Sequence, residues 1–130
     1  MAEKLKILMV EDEAVTRQLL QAAFQDGEQF EIRLASDGEQ ALVAFKEWRP
    51  DIVLMDIMMP NMNGFTTLQT IRQTLRDTTT TVIMASSVSD RQEIMACAEL
   101  GIQGYVLKPF QVKTLAATVV GYHLKAKKGQ

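Results

Sequence analysis

The chain has 130 residues, 47% hydrophobic and 23% charged, with 14 lysines and arginines against 16 aspartates and glutamates. This length and composition suit one globular domain, which we predict to span residues 1–130. The formal net charge of −2 gives no broad basic field for nucleic acid, no apolar run approaches the roughly 20 residues of a membrane span, and the N-terminus lacks the apolar core of a secretory signal.

The single cysteine, Cys97, has no partner for an internal disulfide, which is typical of proteins from a reducing compartment. We therefore expect a cytoplasmic protein. Three lysines, Lys125, Lys127 and Lys128, lie near the C-terminus, where positive charge favours the end of a helix. We interpret them as a solvated helix end and expect no direct binding to nucleic acid or to a membrane.

Five short apolar runs alternate with longer amphipathic stretches along the chain. They predict strands at 7–10, 30–34, 52–55, 82–85 and 105–107. Four runs are continuously apolar, which is typical of strands buried on both faces of a sheet. The second run alternates apolar with charged residues and therefore suits an edge strand.

Between the strands, apolar residues recur with helical spacing. The predicted apolar helix faces are, in chain order, Val15, Leu19, Ala22 and Ala23; Ala41, Leu42 and Phe45; Phe65, Leu68, Ile71 and Leu75; Ile94, Met95 and Ala98; and Val112, Leu115, Ala116, Val119 and Tyr122. Ser36 and Asp37 supply candidate N-caps for the second helix. A strand–helix unit repeated five times predicts an α/β fold with a five-stranded parallel sheet, right-handed crossovers and helices on both faces.

Ligands of open parallel sheets bind outside the carboxyl ends of the strands. The residues that follow the first, third, fourth and fifth predicted strands are Glu11-Asp12-Glu13, Asp56, Ser86-Ser87 and Lys108-Pro109. Acids, a hydroxyl and an ammonium group are therefore expected to meet at one edge of the sheet.

The acids in this group predict a metal site. Glu11, Asp12 and Asp56 would repel one another unless a cation lay between them. Mg²⁺ prefers oxygen ligands and often lies between carboxylates and a phosphate. We expect these three side chains and the backbone carbonyl of Met58 to hold Mg²⁺, for which Mn²⁺ can substitute.

The same group predicts phosphate chemistry. A carboxylate can act as a nucleophile and form an aspartyl phosphate, and phosphoryl transfer mostly requires positioning and neutralisation of the phosphoryl oxygens. Asp56 is the candidate acceptor, and Lys108 and the hydroxyl of Ser86 are candidates to bind the phosphoryl oxygens.

These motifs together resemble the receiver domain of bacterial two-component response regulators, including the stand-alone chemotaxis type. The matching segments are 7–13, 51–60 with 63–64, 82–86 and 104–110, so the resemblance covers nearly the whole chain. It implies a doubly wound sheet with the flavodoxin-like strand order 2-1-3-4-5. It also implies a sensor histidine kinase or phosphotransfer protein as phosphoryl donor, an unknown downstream target, and possible phosphorylation-dependent homodimers. Acceptance and loss of the phosphoryl group would be self-catalysed, without turnover of other substrates.

The resemblance also assigns roles to individual residues. Asp12, beside Glu11, corresponds to the direct metal ligand, and Asp56 to the phosphorylated aspartate. The remaining assignments are Ser86 as the switch hydroxyl, Lys108 as the lysine that often precedes a cis proline, and Tyr105 as the aromatic side chain that changes rotamer. Switching would re-shape the surface of the fourth helix, fifth strand and fifth helix.

The chain departs from the usual family pattern at several positions. The acidic pair is Glu11-Asp12 where two aspartates are common, and Ser86 stands where threonine is common. Met58 and Val88 occupy two variable positions that tune dephosphorylation in the family, and both are apolar here. Because neither can hold an attacking water by a hydrogen bond, we predict slow loss of the phosphoryl group.

Other functions remain open at this point. A phosphatase with an aspartyl nucleophile typically needs a second acid at the position of Met58. A flavodoxin-type or dinucleotide-binding module needs phosphate-binding donors or glycines after the first strand, where the acids stand. The main alternative is a receiver-like interaction module that accepts no phosphate. We expect the one histidine, His123, to be structural or exposed.

Overall fold

The computed structural model describes residues 3–129, except for the side chain of Val88. Strands and helices alternate as β1 (Leu5–Val10), α1 (Ala14–Ala23), β2 (Phe30–Ala35), α2 (Gly38–Trp48), β3 (Ile52–Asp56), α3 (Gly64–Gln69), β4 (Thr81–Ser86), α4 (Arg91–Leu100), β5 (Gly104–Leu107) and α5 (Val112–Lys128). A π-helical turn, Thr70–Thr74, continues α3, and a 3-10 turn, Val88–Asp90, precedes α4. None of the helices within residues 3–129 combines the length and the apolar character that a membrane crossing requires.

All strand pairs are parallel, and the strand order is β2-β1-β3-β4-β5. The predicted fold class and strand order are therefore confirmed, as is the position of β2 at an edge of the sheet. Asp56 pairs with Ala85, and Ser86 pairs with Leu107. This register brings the carboxyl ends of the central strands and of β5 to the same edge.

Alternate side chains of the central strands enter two separate cores, one on each face of the sheet. On one face, Phe45 of α2, Leu68 of α3 and Cys97 of α4 pack on the sheet. On the other face, Leu20 of α1 and Val119 of α5 do so. The central strands are thus covered on both sides, as their continuous apolar sequences predicted.

The prediction that the fifth strand is buried on both faces is wrong. Tyr105 is 47% exposed and Leu107 is 51% exposed, and only Val106 between them is buried. The reason is the strand order, because β5 is an edge strand and one of its faces is left partly uncovered.

The predicted apolar face of α1 is also displaced. Val15 and Leu19 are exposed, whereas Leu20 and Phe24 are buried against the sheet. Apolar residues occur on several sides of this helix, so their spacing alone does not determine which face packs against the sheet.

The predicted face of α4 is wrong at Met95, which is 67% exposed, and at Ala98, which is also exposed. Cys97 is fully buried in this helix, and burial raises the pKa of its thiol to about 11.

Candidate functional site

The predicted site residues lie together at the carboxyl edge of the sheet. Asp56 and Ser86 are the last residues of β3 and β4. Glu11 and Asp12 directly follow β1, and Lys108 directly follows β5. Residues at the ends of four strands therefore form the site, and the strand register sets the backbone position of each of them.

The three acids converge as predicted. One carboxylate oxygen from each of Glu11, Asp12 and Asp56 lies within 4.8 Å of the other two. Glu11 is 1% exposed and Asp56 is 5% exposed. Burial raises the pKa of both carboxyl groups, although hydrogen bonding to Lys108 acts in the opposite direction. Buried carboxylates this close together favour a bound cation, which would offset both the burial and the repulsion.

Lys108 already supplies one cation to this cluster. Its Nζ donates a hydrogen bond of 2.8 Å to Asp56 Oδ2 and lies 2.8 Å from Glu11 Oε1. Burial acts to lower the pKa of Lys108, but the contacts with Asp56 and Glu11 outweigh it and raise the pKa. Lys108 is therefore charged and is held at the carboxylate of Asp56. The Lys108–Pro109 peptide bond is cis, in agreement with the resemblance.

Backbone amides orient the two buried carboxylates. The amide of Met58 donates to Asp56 Oδ1 at 3.2 Å, and the amide of Glu13 donates to Glu11 Oε2 at 3.1 Å. The side chain of Met58 is exposed at the rim of the site. Metal ligation by the Met58 carbonyl stays a prediction, and the side chain of Val88, the other position linked to dephosphorylation, lies outside the described part of the chain.

Ser86 has a buried hydroxyl without a hydrogen-bond partner among the described residues. Its capacity to donate is unused within the described residues, so this hydroxyl can donate to a further oxygen atom. Ser86 also lines a groove of about 430 Å³ with Ser87, Arg91, Ile94, Tyr105 and Leu107. The predicted switch pair, Ser86 and Tyr105, therefore shares one open space.

Some contacts at the site were missed at the sequence level. Arg17 Nη1 donates to the backbone carbonyl of Glu11 at 2.9 Å. Asn61 Nδ2 donates to Asp37 Oδ2 at 3.1 Å, so the loop after β3 is bound to the start of α2. No local sequence pattern marks the Asp37–Asn61 contact, because its partners lie in different elements.

His123 lies away from this cluster. It is buried on α5, and its Nδ1 shares a hydrogen bond of 2.7 Å with the hydroxyl of Thr81 on β4. Of the two roles expected for His123, structural or exposed, the structure therefore supports the structural one.

Comparison with known protein families gives a match over most of the chain. The family model described as "Response regulator receiver domain" matches residues 7–120. The DNA-binding response regulator MtrA of Mycobacterium tuberculosis is 36% identical over 114 residues, which cover 88% of this chain and 48% of MtrA. The chain thus spans about half the length of the curated relatives it matches.

Solved structures show the same architecture. The chemotaxis response regulator CheY4 of Vibrio cholerae superposes with a TM-score of 0.83 at 28% sequence identity, covering 92% of this chain and 99% of CheY4. NtrX of Brucella abortus gives a TM-score of 0.85 at 25% identity, covering 98% of this chain and 28% of NtrX.

Proposed function

The chain belongs to the family of response regulator receiver domains, and from this premise we propose that it is a phosphoryl-accepting switch of a two-component system. Receiver domains are generally signal transducers and not enzymes. The proposed acceptor is Asp56, and the proposed donor is a sensor histidine kinase or a phosphotransfer protein. The observation that carries the proposal is the 2.8 Å contact between Lys108 and Asp56 inside the acidic cluster.

The transfer requires one bond to form and one to break. A carboxylate oxygen of Asp56 attacks the phosphorus atom, and the bond from phosphorus to the donor nitrogen breaks, so that its electron pair leaves with the donor imidazole. The product is an acyl phosphate on Asp56. Lys108 neutralises charge on the phosphoryl oxygens, and the Ser86 hydroxyl, which lacks a partner, donates to one of them.

The donor set fits a hard divalent cation. Glu11, Asp12 and Asp56 would hold Mg²⁺, with the carbonyl of Met58 as the proposed backbone ligand, and Mn²⁺ can replace it. When bound, the cation supplies positive charge between the acids and the phosphoryl group. This requirement makes phosphorylation dependent on divalent metal.

We propose that the signal leaves the site through the groove that Ser86 and Tyr105 share. The acyl phosphate adds about two negative charges, and Ser86 moves to donate to one of its oxygens. Tyr105, which is 47% exposed at the rim of the groove, turns into the space that this movement opens. The surface of α4, β5 and α5 then changes shape and is read by a downstream partner protein.

Acetyl phosphate tests the acceptor directly. The wild-type protein should gain the mass of one phosphoryl group in Mg²⁺ and none when the metal is chelated. Asp56→Asn should abolish the gain, whereas Asp26→Asn, at an exposed acid in the α1–β2 turn, should leave it unchanged. No gain by the wild-type protein would contradict the proposal and favour an interaction module without phosphorylation.

A further inference from the structure

The loop between β3 and α3 contributes to the site, and it is held by contacts with residues that lie outside the site. This segment, residues 57–63, carries Met58, whose amide donates to the acceptor carboxylate of Asp56. It is closed by a hydrogen bond of 2.7 Å from the Gly64 amide to the Ile57 carbonyl. A side chain at position 64 would lie 2.3 Å from the Asp56 carbonyl, so the loop returns tightly against the end of β3.

The far side of the loop is bound to the start of α2, an element that supplies no residue to the phosphoryl site. Asn61 Nδ2 donates to Asp37 Oδ2 at 3.1 Å, and the Gly38 amide donates to the Met62 carbonyl at 3.2 Å. Asp37 is also the N-cap of α2, since its Oδ1 accepts from the Gln40 amide at 2.9 Å. One carboxylate therefore joins the helix to the loop.

The backbone conformation of the loop and that of the start of α2 both favour this contact. Asn61 has a φ of 64°, a left-handed conformation that asparagine, aspartate and glycine tolerate better than other residues. A side chain at position 38 would lie 2.1 Å from Thr67 Oγ1 and 2.7 Å from the Met62 carbonyl. Only glycine allows α2 to approach the loop this closely.

We propose that Asp37 and Asn61 are positioning residues for the metal site, because the bond between them fixes the loop that presents the Met58 carbonyl and amide. The inference rests on the function proposed above. Neither residue contacts the metal or the phosphoryl group. Loss of their bond should therefore weaken Mg²⁺ binding, and the fully metal-loaded site should react as before.

The variant Asn61→Gly breaks the contact and keeps both the net charge and the left-handed backbone. It should weaken Mg²⁺ affinity about two- to threefold, because the bond is solvent-exposed and therefore lies at the lower end of net hydrogen-bond energies. Affinity is measured by following backbone amide shifts of ¹⁵N-labelled protein during Mg²⁺ titration. Phosphorylation by acetyl phosphate should be slower at low Mg²⁺ and should return to the wild-type rate at saturating Mg²⁺, a separation that a general loss of structure would not produce.

A charge-conserving exchange provides the rescue. Asn61→Asp alone sets two carboxylates against each other and should weaken Mg²⁺ binding. Combining it with Asp37→Asn restores a donor–acceptor pair in the opposite direction and should recover the wild-type affinity. Asn63→Ser is the matched control, since Asn63 lies in the same loop but caps α3 by accepting from the Thr66 amide at 2.9 Å, a role that serine can take over.

The outcomes separate this inference from the function on which it rests. A wild-type protein that binds no Mg²⁺ and accepts no phosphoryl group would overturn both. A wild-type protein that does both, with Asn61→Gly unchanged in Mg²⁺ affinity or with the exchange failing to restore it, would overturn the positioning role alone.

Discussion

Lys108 Nζ donates a hydrogen bond of 2.8 Å to Asp56 Oδ2, although the two residues are 52 positions apart in the chain. Lys108→Ala should slow phosphorylation by acetyl phosphate about a hundredfold, the typical effect of removing one donor from developing negative charge. The measurement is the rate of mass gain in saturating Mg²⁺. Lys113→Ala, at an exposed lysine of α5, is the control and should keep the wild-type rate. Equal rates in all three proteins would contradict the role of Lys108.

Ser86 ends β4, the strand paired with the strand of Asp56, and lines a groove together with Tyr105. Ser86→Ala should still be phosphorylated, but the amide shifts of Tyr105 and of α4 should change less on phosphorylation than in the wild-type protein. The physical reason is that the alanine side chain cannot donate to a phosphoryl oxygen. Stability should not fall by the loss of a hydrogen bond, since the Ser86 hydroxyl has no partner in the described structure.

The control for this experiment is the neighbouring hydroxyl. Ser87 Oγ contacts Ser89 Oγ at 2.7 Å, so Ser87→Ala removes a hydroxyl that already has a partner. Its phosphorylated form should show the full wild-type shifts. If the amide shifts of Ser86→Ala changed on phosphorylation as much as those of the wild-type protein, the Ser86 hydroxyl would have no role in the switch.

Met58 has an exposed apolar side chain, and its amide donates to Asp56, the proposed acceptor. The acyl phosphate of the wild-type protein should therefore last minutes or longer. Met58→Asn should shorten its lifetime at least about tenfold, because a polar group at this position can orient the attacking water. The decay is followed by mass after removal of acetyl phosphate. Met95→Asn, at a methionine on α4 that is also exposed, should leave the lifetime unchanged, and a wild-type lifetime of seconds would contradict the prediction.

The parts of the fold and site that follow from the sequence are those with a local signal. Continuous apolar runs predicted β1, β3, β4 and β5, and the residues directly after these strands predicted the convergence of Asp56, Glu11 and Lys108. The exposure of Tyr105 had no such signal, because it depends on β5 being at the edge of the sheet. The Asp37–Asn61 bond joins loops 24 positions apart, and only the packing of α2 against α3 brings them together.

Arg72 is a second case that local sequence does not reveal. It follows α3 and is 8% exposed. Its guanidinium donates at 2.9 Å to three backbone carbonyls, those of Gly101, Asp77 and Thr80. Arg72 thereby connects the end of α3 to the segment before β4 and to the turn before β5. This buried arginine stabilises the contact between three parts of the chain.

Arg72→Met should lower the free energy of unfolding by about 3–5 kcal/mol, because three partly buried backbone carbonyls lose their donor and the Asp77 carboxylate, 3.6 Å from Arg72 Nη1, loses its charged partner. Urea unfolding followed by circular dichroism measures the loss. Arg91→Met, at an exposed arginine of α4, is the control and should change stability by less than about 0.5 kcal/mol. A similar small change in Arg72→Met would show that water replaces the lost bonds.

His123 should make the free energy of unfolding depend on pH. Burial, followed by Lys127, lowers the pKa of His123 below its ordinary 6.5, against an opposing effect of Asp51. The folded protein therefore takes up a proton less readily than the unfolded chain. The stability contribution is complete above about pH 6.5 and decreases as the pH falls from there toward the lower folded pKa.

The experiment compares urea unfolding at roughly pH 8 and pH 5.5, on either side of the ordinary histidine pKa. His123→Gln should lose less stability than the wild-type protein over this interval, and the difference isolates His123 from the carboxyl groups that titrate at lower pH. Thr81→Val removes the 2.7 Å partner of Nδ1 and should cost about 1–3 kcal/mol at high pH, because the buried imidazole loses its hydrogen bond. If the wild-type protein and His123→Gln lost the same stability between the two pH values, His123 would not take up a proton on unfolding in this range.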